Sequence, residues 1–220
     1  MLDYLQDIDT EALLAVNGWH DIFQDALWWL VTAKWSSLLL VIALVWVLLH
    51  QNRRHAVLVL AMAMLAVFLA DQVASGIIKQ LVERLRPTHD PALENMVHVV
   101  NGYRGGMYGF VSSHAANFFA FSTLISLVMR HRLVALALYG WSLLQCYSRM
   151  YLGVHYPGDI LGGILVGMCA GWIAWMVMRL IQRRWRFPDG FYTRTDATIM
   201  ASSVGITVIA ILIMALFQAL

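Results

Sequence analysis

The stretch Ser148-Arg149-Met150-Tyr151-Leu152-Gly153-Val154-His155-Tyr156-Pro157-Gly158-Asp159 sets an arginine, a histidine and a carboxylate between two long apolar segments. Ionisable groups at the edge of a bilayer are expensive to place, so such a cluster marks a functional site by default. Pro157-Gly158 opens a helix, with proline at its favoured first position. Asp159 then falls in the first turn, four residues after His155. An aspartate there also suits the helix dipole with no further role. The chemical reading is a carboxylate bonded to one ring nitrogen of His155, which leaves the other nitrogen basic and aimed.

Two earlier stretches carry complementary groups. Lys79 and Arg86 are seven residues apart, close to two helical turns, so they are expected on one helix face that Pro87 ends. Taken alone, they read equally as snorkelling residues at a helix end or as functional groups. Val111-Ser112-Ser113-His114 stands directly before the apolar run Ala115 to Met129. Serine there is ordinary capping, but a helix start with free N–H groups and hydroxyls also receives anions. Together these give three cations (Lys79, Arg86, Arg149), serine hydroxyls and two histidines, one backed by a carboxylate. Cations and N–H donors suit a phosphoryl group. One histidine can attack phosphorus while the other protonates the leaving oxygen.

The elements that must position these groups are membrane helices. The chain has 220 residues, 60% hydrophobic and only 13% charged, where soluble domains carry about a quarter charged residues. The expected fold class is all-α: a polytopic transmembrane helix bundle of about six spans, near 35–50, 56–80, 113–130, 132–150, 158–181 and 198–219. One membrane domain is expected over 1–220, with an N-terminal interfacial segment at 1–34, the chemistry over 79–159 and an extra, scaffold-only span at 198–219. In the N-terminal segment, Tyr4 to Val16 reads as a short amphipathic helix with Leu5, Ile8, Leu13 and Val16 loosely on one side. Asp21 is placed to cap a second helix, Ile22 to Thr32. Trp19, Trp28, Trp29 and Trp35 favour headgroup depth for this region. Residues 22–50 read either as one span or as a surface helix followed by a span. The first residues are acidic (Asp3, Asp7, Asp9, Glu11), so no cleavable signal is expected. Cys146 and Cys169, both inside apolar runs, read as buried thiols. Asp71 reads as a bundle-interior hydrogen-bonding residue.

Alternating crossings put Arg53, Arg54, Arg130, Arg132, Arg179, Arg183, Arg184 and Arg186 on one side, eight of the fifteen Lys and Arg. That excess marks the cytoplasmic face, so the chemical groups are expected to face away from the cytoplasm. Gly163, Gly167 and Gly171 repeat every four residues, as on a close helix-packing face. That face serves the chain's own bundle or pairs two copies in a homodimer, the first being preferred. The loop residues His89, Asp90, Glu94 and His98 match no standard metal spacing and read as solvated. Tyr103, Arg104 and the glycines at 102, 105, 106 and 109 read as a flexible lid.

Lys79-x6-Arg86-Pro87, Ser112-x-His114 and Ser148-Arg149-x5-His155-x3-Asp159 together resemble the three-part signature of the type 2 phosphatidic acid phosphatase superfamily, which includes the vanadium haloperoxidases. The resemblance spans 79–159. Its middle part departs from the family's Pro-Ser-Gly-His, with Val111 for proline and Ser113 for glycine. It implies His155 as nucleophile through a phosphohistidine, Asp159 as its orienting acid, and His114 as acid and then base. It implies Lys79, Arg86, Ser112, Ser113 and Arg149 as the phosphate site, with no metal or cofactor. The expected function is therefore a phosphatase for a membrane lipid phosphate or diphosphate, acting at the outer face of a bacterial inner membrane. Undecaprenyl diphosphate or a lipid A phosphate is favoured as substrate, and no nucleic-acid partner is expected. A phosphotransferase using the same site and a small transporter are the competing readings. A transporter would spread polar residues through its spans, whereas here they gather at one face.

Overall fold

The computed structural model describes residues 2–220, with the side chains of residues 2, 3 and 5 left out of the description. It is all-helical, with no strand among the described residues. The main helices are α1 (Leu2–Asn17), α2 (Ile22–Val31), α3 (Leu38–Gln51), α4 (Arg53–Asp71), α5 (Lys79–Val82), α6 (Ser113–Met129), α7 (Arg132–Tyr151), α8 (Pro157–Trp185) and α9 (Arg194–Ala219). A π-helical turn, Gln72–Ile78, joins α4 to α5 without a break. Arg53–Val82, Pro157–Trp185 and Arg194–Ala219 are long and apolar enough to cross a membrane; Ile22–Val31, Leu38–Gln51 and Ser113–Met129 are shorter apolar helices. At about 1.5 Å per residue, α3 reaches only about two-thirds of a hydrocarbon core.

The centre is a three-helix group, α4, α6 and α8, in which α6 and α8 touch most extensively. The glycine repeat explains the contact. A Cβ at Gly163, Gly167 or Gly171 would strike the carbonyl oxygen of Ser112, Ala116 or Ala120 respectively. The stripe therefore serves the chain's own bundle, as the preferred reading held. Because the pairing runs from the first turns of both helices, it sets Ser112–His114 beside Pro157–Asp159. Ser112 N–H donates to the Asp159 carbonyl at 2.9 Å. Helix α7 lies against α6, while α9 packs on α2, α3 and α7.

The N-terminal region is two separate helices, and 22–50 is a short helix, a turn and a second helix. Asp21 caps α2, accepting from Gln24 N–H at 2.7 Å. Trp19 is exposed, but Trp28 packs on Tyr147 and Tyr151, and Trp29 meets Tyr103 edge-on. In α1 the anchoring stripe is Asp9, Leu13 and Asn17, four residues apart; of the expected apolar set Leu13 belongs to it and Val16 packs beside it on the Val100–Tyr151 cluster. Leu13 is fully buried, Ile8 is exposed, and the Leu5 side chain lies outside the described residues. Asn17 donates to the carbonyls of Tyr151 at 2.7 Å and His98 at 2.9 Å. Cys146 is buried as expected, but Cys169 is exposed. It stands on the outward side of α8, two residues past Gly167, so apolar surroundings in sequence did not mean burial between helices. Asp71 is half-buried and accepts from Ser75 Oγ at 3.3 Å.

At the opposite end, His55 is buried, with Nε2 2.7 Å from the Tyr192 hydroxyl and Nδ1 3.1 Å from the Pro188 carbonyl. The arginines of the 51–54, 130–132 and 183–186 turns gather at that end.

Candidate functional site

The site lies where α5, α6, α7 and α8 meet the loop 83–112. Lys79 reaches it through the π turn. Ala66, Ala70 and Ala74 are fully buried at steps of four; the next buried residue is Lys79, at a step of five. The wider π turn supplies the extra residue and brings an ammonium where the α register would bring Ile78. Lys79 Nζ donates to Ser113 Oγ at 2.9 Å. The hydroxyl that stands where the resembling family has glycine is thus engaged by the site's lysine.

Lys79 and Arg86 do not share a helix face, contrary to the sequence expectation. The helix ends at Val82, because Glu83 turns left-handed with φ 49°. Pro87 instead opens a 3-10 turn. Residues 84–86 run extended and pair with 107–109: Arg86 N–H donates to Met107 O at 3.0 Å and Gly109 N–H to Arg84 O at 2.8 Å. In an extended segment alternate side chains share a side, so Arg84 and Arg86 both face inward. Arg86 is buried; its Nε donates to Tyr108 O at 3.1 Å, while its Nη1 is buried without a hydrogen-bond partner.

Arg149, in the last turn of α7, donates from Nη1 to Thr32 Oγ1 at 2.7 Å and from Nη2 to the Tyr103 hydroxyl at 2.9 Å. Its Nε is buried and unpartnered. Two buried guanidinium N–H groups are therefore donors that an anion would satisfy. The loop expected as a flexible lid is pinned. Tyr103 holds Arg149, and Thr88 Oγ1 donates to the Arg104 carbonyl at 2.8 Å.

Ser112 caps α6, its Oγ accepting from Ala115 N–H at 3.4 Å. His114 sits in the first turn, Nε2 3.2 Å from Gln145 Oε1. Gln145 is itself fixed by donating to the Val31 carbonyl at 2.7 Å and to Ser36 Oγ at 3.3 Å. His155 Nδ1 is 3.2 Å from Asp159 Oδ2, leaving Nε2 for a reaction partner. Asp159 is fully buried, and its Oδ2 also accepts the Tyr156 N–H at 3.1 Å. Burial, followed by the positive charges of Arg86, Arg149 and Lys79, holds the His155 ring well below the usual histidine range. The ring is therefore neutral near pH 7, the form in which its nitrogen can attack.

All eight residues singled out in sequence come to one place: Lys79, Arg86, Ser112, Ser113, His114, Arg149, His155 and Asp159. Of the loop residues, His89, Asp90 and Glu94 line one cavity, while His98 turns away to α2. His89 meets the Gly105 carbonyl, Asp90 the Tyr156 hydroxyl, and His98 pairs with Asp25 at 2.9 Å. Sequence reasoning missed Arg84, which lies 3.2 Å from Asp159, together with Gln145 and Thr32. For Arg84 a signal existed: the residue before a proline is extended, so Arg84 and Arg86 alternate onto one side.

Residues 55–186 match the model of the PAP2 superfamily. The chain is 31% identical over 84% of its length to a lipid A 4'-phosphatase of Porphyromonas gingivalis, covering 78% of that protein. It is 33% identical over 84% of its length to a lipid A 4'-phosphatase of Bacteroides thetaiotaomicron, covering 83% of that one. The crystal structure of Aquifex aeolicus LpxE superposes with a TM-score of 0.57 at 22% identity, over 75% of this chain and 93% of that one, a likeness of fold.

Proposed function

This chain belongs to the PAP2 superfamily, and as a membrane lipid phosphatase of that type we propose that it removes a phosphate from lipid A through a phosphohistidine on His155. Two similar proteins named lipid A 4'-phosphatases support that substrate over undecaprenyl diphosphate. The observation that carries the chemistry is the pair of buried, unpartnered guanidinium N–H groups, Arg86 Nη1 and Arg149 Nε, around a neutral histidine held by a carboxylate.

Arg86, Arg149, Lys79 and the free N–H groups opening α6 meet the charge of the phosphoryl oxygens, so the protein's own cations supply the stabilisation. His155 Nε2 attacks phosphorus; the N–P bond forms as the bond from phosphorus to the lipid oxygen breaks. Asp159 balances the positive ring. In its protonated form, His114 gives its proton to the departing oxygen. His114 then takes a proton from water, which attacks phosphorus, cleaves the N–P bond and releases inorganic phosphate. The eight arginines at the other end support a site on the outer, periplasmic face of the inner membrane.

A panel of lipid phosphates in detergent with EDTA tests this. Wild type should release phosphate from lipid A in preference to undecaprenyl diphosphate, phosphatidylglycerol phosphate and phosphatidic acid. His155→Ala should lose about 10⁴-fold or more. Full release by a folded His155→Ala protein would refute the nucleophile. Phosphate appearing on a second lipid instead of in solution would make the protein a phosphotransferase.

A further inference from the structure

Arg84 and Asp9 lie outside the eight groups of the phosphate chemistry, yet they close a ring around Asp159. Arg84 Nη1 donates to Asp159 Oδ1 at 3.2 Å, and Arg84 Nη2 meets Asp9 Oδ2 at 2.7 Å. The other oxygen of Asp9 accepts the Gly158 N–H at 2.6 Å, in the same helical turn that carries Asp159. The Arg84 guanidinium also lies 3.9 Å over the Tyr156 ring, beside the Tyr156 N–H that bonds Asp159. Asp9 belongs to α1, outside the residues that match the family model.

We infer that Asp9 and Arg84 are positioning residues for the reaction: the relay Asp9–Arg84–Asp159 fixes the carboxylate that holds His155. The inference rests on the phosphatase reading above.

The carboxylate accounting supports it. Asp159 Oδ2 serves both His155 and the Tyr156 N–H, whereas the described partner of Oδ1 is Arg84. A fully buried carboxylate with an open oxygen would rotate to find a donor, and His155 would turn with it. Arg84 prevents that rotation. Its charge is shared between two carboxylates, so Arg84 is neutralised and does not join the cations that face the phosphate. Asp9 in turn anchors α1 across the site's edge, which makes the N-terminal helix part of the catalytic geometry. A loop glycine closes the remaining side: a Cβ at Gly109 would lie 2.7 Å from Asp159 Oδ2 and 3.4 Å from Arg86 Cγ.

A simple staple holding α1 to the bundle would predict a different response. Loss of a staple loosens the whole outer end and weakens phosphate binding with everything else. Loss of a positioning relay lowers turnover and leaves phosphate binding intact.

The experiment compares wild type, Arg84→Gln, Arg84→Lys, Asp9→Asn and Asp9→Glu as full-length protein in detergent. It reads kcat and KM on lipid A, inhibition by inorganic phosphate, and the His155 ring tautomer by ¹⁵N NMR, assigned with His155→Gln. Arg84→Gln should lower kcat by about 10²-fold, the scale of a 1 Å misplacement, with KM and phosphate inhibition nearly unchanged. Asp9→Asn should fall in the same way but less, and Arg84→Lys and Asp9→Glu should recover most of each loss. In wild type the proton should sit on His155 Nδ1; in Arg84→Gln both tautomers should appear. Unchanged kcat and tautomer in Arg84→Gln and Asp9→Asn would overturn the inference. So would a fall in kcat that comes with weakened phosphate inhibition and no rescue by lysine. If wild type releases no phosphate from any lipid while the tautomer still shifts, the phosphatase reading fails and the relay stands.

Discussion

At the scale of single residues, the two histidines differ in what holds them, and the difference predicts how each variant fails. His155 is held by a carboxylate, which suits a ring that becomes positive when it attacks. His114 is held by the neutral amide oxygen of Gln145, which orients the ring without a full counter-charge. A ring so held can carry a proton to the leaving oxygen and take one back from water. His114→Ala should therefore lose about 10²- to 10⁴-fold on a lipid phosphate, whose alkoxide needs a proton. It should lose far less on p-nitrophenyl phosphate, whose leaving group departs without one. Single-turnover release of each leaving group checks this; equal losses on both substrates would remove His114 from the acid role. His155→Ala should lose both activities alike.

At the scale of elements, two devices place the groups, and each can be broken alone. The glycine stripe of α8 lets α6 approach until a methyl group would meet backbone, and the closeness brings the serine and histidine motifs together. Gly167→Leu should wedge the two helices apart, costing about 1–3 kcal/mol or more, because carbonyl oxygens cannot yield as side chains do. Activity should fall with stability. Gly205→Ala in α9, where the added Cβ meets nothing, should stay within about 0.5 kcal/mol of wild type. Thermal unfolding in detergent compares the two, and a tolerated Gly167→Leu would contradict the packing. The second device is the π turn. Deleting Gly76, which is exposed, should convert the π turn to α-helix and leave Lys79 four residues after Ala74, on the same buried face. The shortened protein should therefore bind phosphate far better than Lys79→Ala does. Phosphate binding lost as fully as in Lys79→Ala would show that the one extra residue does not set the register.

At the scale of the whole molecule, chemistry and charge occupy opposite ends. The buried cations at the site's end have hydroxyl or carbonyl partners and two N–H groups free for an anion. The arginines at the other end are mostly exposed, as a surface facing anionic lipid headgroups would be. In intact cells with the outer membrane permeabilised, a cysteine at exposed Glu94 should react with a membrane-impermeant maleimide. One at exposed Arg184 should react only after lysis. The reverse pattern would place the site in the cytoplasm. Both variants are made with Cys169→Ser, because that thiol is exposed.

By itself the amino-acid sequence determined the membrane class, the end on which charge accumulates, and the eight residues that meet in the site. Each of these is written in composition or in spacing within one short stretch: His155 and Asp159 across one turn, Ser112 and His114 at one helix start, glycines at steps of four. Local periodicity records which residues share an element or a face, and nothing more distant. The tertiary structure alone decided that Lys79 arrives through a π turn. It also brought Asp9 to Arg84 and Arg84 to Asp159, selected Gln145 for His114, and gave Arg149 to Thr32 and Tyr103. Those pairs are between 31 and 117 residues apart, and no period links them. They are fixed by how closely small residues let the helices approach, which brings side chains from separate elements within hydrogen-bonding reach.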